Sequence, residues 1–225
     1  MQNIRPVRSI GSLFFPPIYI ALLAAFATMP VFSQEADYAN DETQKQSRKV
    51  FAAKFLGGMA TGFAAHESGH ILFDVVFDAS PGIDRVSFGG IPFFAITHKS
   101  GLPKRQEFII SSAGLQVQNL TSEWLLTSRP DLRRHDAPFM KGWLAWNVVA
   151  STAYGIASFT HTGPYERDTR GMAASLDIPE SWIGGMVLAP AALDTWRYFK
   201  PETRWIRWTS RFVKAGAFIL IFAAN

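Results

Sequence analysis

An apolar stretch rich in glycine and alanine, residues 50–77, carries at its centre the polar quintet His66-Glu67-Ser68-Gly69-His70. No feature of the chain constrains its fold more. Burying two imidazoles and a carboxylate in such surroundings is costly unless they share a partner. Its length, about 28 residues, suits one long helix at ~1.5 Å rise per residue. On a helix, positions four apart lie one turn apart on the same face. His66 and His70 can then reach one Zn²⁺ at ~2.0–2.1 Å. Glu67, beside the first ligand, is placed to take a proton from a water at the open coordination position and to pass it to a leaving amine.

The chain has no cysteine, so a metal must be held by histidines and carboxylates. The motif supplies two ligands, and catalytic zinc takes three from the protein. Asp74, Asp78, Asp168, Asp177, Asp194, His98, His135 and His161 are the candidates. Asp74 follows His70 by one turn, but a single straight helix hardly wraps three ligands round one ion, so a remote element must contribute.

Organisation along the chain points to a membrane. Charged residues are 18% of the sequence, below the usual quarter, while hydrophobic residues are 48%. Residues 1–33 combine Arg5 and Arg8 with an apolar stretch, the pattern of a signal peptide or an N-terminal anchor helix, and the polar segment 34–49 is a linker. Residues 50–225 form the main domain. Pro81-Gly82 ends the first long helix, and residues 83–97, with Gly89-Gly90, predict a short β-hairpin. Further helices are predicted at 107–127, 143–159, 182–193 and 212–222. The expected fold class is mainly α, a polytopic helical membrane bundle with a short β-hairpin after the metal-binding helix. The expected placement is multi-pass, in a bacterial inner membrane. The net charge of +4 comes from basic loops between apolar stretches, which fits membrane lipid as a partner and not nucleic acid. Tryptophans 143, 146, 182, 196, 205 and 208 are expected as interface anchors. Arg197, Arg204, Arg207, Arg211 and Lys214 are expected to form a lipid-facing basic surface.

The quintet and its flanks, residues 62–73, resemble the first metal-binding helix of the site-2 protease family of intramembrane zinc metalloproteases. Residues 105–120, containing Ala113-Gly114, are similar to that family's helix with an Ala-Gly-Pro and Asn signature. Here Leu115 stands for the proline and Asn119 falls one place late. The 83–97 hairpin resembles the family's membrane-associated hairpin. Coverage is about residues 55–195. The resemblance implies Zn²⁺ as cofactor, Glu67 as the catalytic residue and a peptide or membrane-protein substrate cleaved in or near the membrane. It also implies an aspartate as third ligand. Asp168, in the stretch Asp168-Thr-Arg-Gly-Met-Ala-Ala-Ser-Leu-Asp-Ile-Pro179, is preferred. Asp194, in Leu188-Ala-Pro-Ala-Ala-Leu-Asp194, is the alternative, with Thr195 where the family has glycine.

Asn119, Gln116 and His161 are candidates for contacting substrate or an oxyanion. Two other functions fit the same residues: a zinc hydrolase of a non-peptide substrate, and a non-catalytic membrane scaffold with a structural or relic metal site.

Overall fold

In the computed structural model, residues 48–88 and 91–220 are described. The signal-peptide or anchor segment 1–33, nearly all of the 34–49 linker and the Gly89-Gly90 turn lie outside them. Six helices and one hairpin follow in the order α1 (Arg48–Val76), β1 (Gly82–Phe88), β2 (Ile91–Thr97), α2 (Lys104–Ser128), α3 (Pro138–Thr160), α4 (Asp168–Leu176), α5 (Glu180–Phe199) and α6 (Arg204–Ile219). The strands pair antiparallel, Gly82 opposite Thr97 and Phe88 opposite Ile91.

Helix α2 packs against all five other helices. One side of the core is built on it from Phe108, Ile109, Ile110, Ala113 and Leu115, with Met172 and Ala173 of α4 and Ile183 and Val187 of α5. A second cluster joins Leu125 and Leu126 to Leu132 and Leu144. The crossing of α1 and α3 has no room for side chains at its centre. A Cβ on Gly58 would lie 1.9 Å from the Phe139 carbonyl oxygen, and one on Gly142 would lie 1.9 Å from that of Phe55. Glycine at both positions is what lets the two backbones meet.

Surrounded on all sides, α2 nonetheless carries Ser112, Gln118, Ser122 and Glu123 buried. Partners on α3, α5 and α6, and for Ser112 the Ile109 carbonyl of its own helix at 3.3 Å, make this tolerable. The Ser151 hydroxyl donates to Gln118 Oε1 at 3.1 Å, and Asn147 Nδ2 donates to Ser122 Oγ at 3.0 Å. Glu123 accepts from Arg197, from Arg211 Nε at 2.9 Å and from Lys214 at 3.3 Å. Lys214 also donates to Asp194 Oδ1 at 2.6 Å. Burial opposes the charge on Glu123, but Lys214, Arg197 and Arg211 hold its carboxyl well below the usual carboxylate range.

Two expectations are corrected here. No helix among the described residues is long and apolar enough to cross a membrane, which overturns the polytopic membrane bundle and the multi-pass inner-membrane placement. Helix α1, at 29 residues, has the length but interleaves its apolar residues with glycine, alanine and the groups of the quintet. Helix α2 is too rich in Ser, Thr, Gln and Glu. Of the basic residues in the C-terminal segment, Arg197 and Lys214 are buried and joined to Glu123, so these two do not face outward. Mainly helical structure and the hairpin are as expected.

Candidate metal centre

His66 and His70 occupy successive turns of α1, and both are buried. Asp168 approaches them from the first turn of α4. Its Oδ2 lies 3.1 Å from His66 Nε2 and 3.4 Å from His70 Nε2, and the two Nε2 atoms are 3.2 Å apart. Bonds of ~2.0–2.1 Å to a four-coordinate zinc place its ligand atoms about 3.3 Å from one another. The three atoms are spaced as one triangular face of such a tetrahedron would be. Asp168 Oδ2 is buried and makes no hydrogen bond of acceptable geometry despite these two close neighbours. A buried carboxylate oxygen of this kind normally has a partner, and a cation shared with the imidazoles fits it.

The surroundings fix which nitrogen is available. His70 Nδ1 lies 2.8 Å from the Ile110 carbonyl oxygen. A carbonyl can only accept, so Nδ1 carries a hydrogen and Nε2 is the nitrogen left to face Asp168, giving up its proton if a metal binds. The ring of Tyr154 stacks on His66 at 5.9 Å between centroids and 15° between planes. Helix α2 passes so close that a Cβ on Gly114 would lie 2.5 Å from His66 Cε1, His66 Nε2 and His70 Nε2. Glycine there leaves the space that both imidazoles occupy.

Charge is strongly coupled in the group. Burial opposes the charge on Asp168, yet the two histidines hold its carboxyl well below the usual range. Burial also works against a charged His70, but Asp168 beside it dominates and raises the imidazole to about 9. Burial raises the Glu67 carboxyl above its ordinary value, against the pull of the two histidines. That direction is the one a general base and acid needs, since it strengthens the carboxylate as a proton acceptor.

Glu67, His66, His70 and Asp168 open onto a cavity of about 400 Å³. Most of its lining is apolar: Phe63 from α1, Val86, Phe94 and Ile96 from the hairpin, Trp146 and Tyr154 from α3. Phe63 packs edge-on against Phe94 at 5.1 Å and Trp146 at 5.3 Å, which joins the hairpin to the helices over the site. Gln118 also faces this cavity. With Oε1 taken by Ser151, its buried Nε2 has no hydrogen-bond partner among the described residues.

The structure therefore brings together His66, Glu67, His70 and Asp168. Asp194 is elsewhere, bonded to Lys214 and to the Ser210 hydroxyl at 2.9 Å. Asp74 faces His98 at 3.5 Å, and His98 in turn contacts Glu107 at 3.0 Å, so neither joins the triangle. Asp78 and Asp177 occupy left-handed positions where α1 and α4 end. His135 lies in the α2–α3 connection. His161, the left-handed cap of α3, is exposed and sits 3.9 Å from Glu180, outside the main cavity. Asn119 is half-buried and does not line the cavity; its neighbour Gln118 does. Sequence reasoning missed Gln118, Tyr154 and the Ile110 carbonyl, because each acts through tertiary placement and carries no local pattern. Gly114 was visible only as part of the Ala-Gly pair. No family model, no curated protein and no solved structure matches this chain.

Proposed function

We propose that the chain is a zinc-dependent hydrolase of the metallopeptidase kind, with His66, His70 and Asp168 holding the metal and Glu67 as general base and acid. The observation that carries this reading is the 3.1–3.4 Å triangle of ligand atoms beside Glu67 at the polar end of an apolar cavity. Zinc at such a place supplies Lewis acidity, which acidifies water and polarises a carbonyl. Glu67 accepts a proton from water as its oxygen attacks the carbonyl carbon. The same carboxyl then returns that proton to the amine as the C–N bond breaks. Phe63, Val86, Phe94, Ile96 and Trp146 suit a substrate with a bulky apolar side chain next to the bond that is cut. A closed structural site would need a fourth protein ligand, and no fourth His, Asp or Glu joins the group among the described residues.

The test is zinc content and peptide hydrolysis by wild type, His66→Ala, Asp168→Ala and Glu67→Gln, using peptides with and without bulky apolar residues. About one zinc per chain is expected, lost in the first two variants. Glu67→Gln should keep the metal and lose turnover by at least about 100-fold. Hydrolysis unaffected by Glu67→Gln would refute the assignment.

A further inference from the structure

Of the three ligands, Asp168 is the one that does not lie on α1, and its helix packs on α2, α3 and α5. Something must fix the first turn of α4 relative to the two histidines. The residue before it, Arg167, is extended and gives the helix no side-chain cap. Both neighbours of Asp168 instead converge on one carboxylate at the start of α5. Arg167 Nε donates to Glu180 Oε1 at 2.7 Å and Nη2 to Oε2 at 2.6 Å, a two-pronged pair. The Thr169 hydroxyl donates to Glu180 Oε1 at 2.7 Å. Arg167 Nη1 also donates to the Pro164 carbonyl at 2.9 Å and so ties down the approach from α3. Arg167 is 9% exposed and Thr169 is fully buried, so these bonds are shielded from competing water.

We infer that Glu180 is the positioning residue for the third metal ligand, bracketing Asp168 from both sides so that its carboxylate meets His66 and His70. This rests on the metal-site reading above. Glu180 touches neither the ligand atoms nor the main cavity. Its effect passes through the backbone of Arg167, Asp168 and Thr169. Its bidentate shape matters as much as its charge, because a planar guanidinium and a hydroxyl must be held at once.

The experiment is titration of the full chain with zinc against a chromophoric chelator, together with the visible spectrum of the cobalt(II)-loaded protein. Wild type, Glu180→Gln, Thr169→Val and Glu123→Gln are compared at a temperature where each is folded by circular dichroism. Glu180→Gln should bind zinc at least about tenfold more weakly, the usual effect of losing a group that orients a ligand. Its cobalt bands should change in intensity as the Asp168 oxygen leaves the coordination sphere. Thr169→Val, which keeps the Arg167 pair, should lose a few-fold and serves if Glu180→Gln does not fold. Glu123→Gln weakens the fold at a different ion network and should leave zinc affinity and cobalt spectrum unchanged. Glu180→Gln with wild-type affinity and spectrum but a lowered Tm would make Glu180 merely structural and overturn the inference alone. A wild type that binds neither metal would overturn the underlying reading and the inference with it.

Discussion

Gly114→Ala is the sharpest perturbation of the proposed site, because it adds one methyl group and removes no ligand. Its Cβ would stand 2.5 Å from His66 Cε1, His66 Nε2 and His70 Nε2. Unstrained contacts between such atoms are about 3.5 Å or more, so each ring must retreat by roughly 1 Å. Neither moves freely. His70 is tied to Ile110, one turn earlier on the same helix as Gly114, and His66 is covered by Tyr154. Zinc bond lengths tolerate only about 0.2 Å.

The rings can relieve the crowding only by leaving the positions from which they would share a metal. Overpacking of one methyl costs about 1–3 kcal/mol. Borne by metal binding, that is a loss of affinity between about 5-fold and 150-fold. Stability without metal should change little, since Gly→Ala in a helix contributes up to about 1 kcal/mol in return. Gly185→Ala on α5, where a Cβ meets nothing within 4 Å, is the matched control. Zinc titration with a competing chelator and thermal denaturation in a chelator measure the two effects separately. Zinc affinity for Gly114→Ala within twofold of both Gly185→Ala and wild type would refute the geometry on which the metal centre rests.

Zinc affinity should rise with pH, by up to about tenfold per unit between pH 6 and 9, because Asp168 raises His70 to about 9 and the metal must displace that proton. Competition titrations at three pH values check the slope. Glu123→Gln leaves Arg197, Arg211 and Lys214 without their shared carboxylate and should cost about 3–5 kcal/mol, read as a Tm lower by roughly 10 °C. Because the folded Glu123 carboxyl is depressed, its contribution is full above the ordinary carboxylate range and fades as pH falls below it. Wild type should therefore lose stability on acidification more steeply than Glu123→Gln in urea titrations between pH 5 and pH 2. Asp194→Asn should lower Tm and leave zinc stoichiometry intact, whereas Asp168→Asn should do the reverse.

What could be read from the sequence was local. The His66-Glu67-His70 arrangement depends only on helical spacing, and the hairpin only on alternation about a Gly-Gly pair. Helix α4 has nine residues and follows a Gly-Pro turn, so no helix was expected between 159 and 182 although Asp168 opens one. The C-terminal helix was expected at 212–222 and instead begins at Arg204, where Arg204, Arg207 and Arg211 hid its first turns. The membrane expectation failed for a related reason. In the sequence, polar residues read as groups facing a bundle interior within lipid, whereas within the observed helix bounds they leave no stretch among the described residues long and apolar enough to cross a membrane. The outer faces of α1 and α6 do expose Leu56, Leu72, Val75, Trp205, Trp208 and Phe212. Composition alone weighted these residues toward a span that the helices do not make.

The choice between Asp168 and Asp194 shows what the missing information was. Both are buried aspartates next to helical residues, and both must find positive charge or a cation. Asp194 finds it in Lys214, twenty residues on, with Arg197 one turn away at 3.7 Å. Those are members of the basic surface that the sequence seemed to offer to lipid. Once α6 folds back on α5 and α2, their charges are matched by Glu123 and Asp194, and no acceptor remains there for a metal. Asp168 has no lysine or arginine in its group, only two imidazoles that present Nε2. An imidazole can give up its proton to a metal at neutral pH, and an ammonium or guanidinium does so far less readily. The proposed ligand set thus follows from which aspartate was left with histidines, and that depends on where α6 packs.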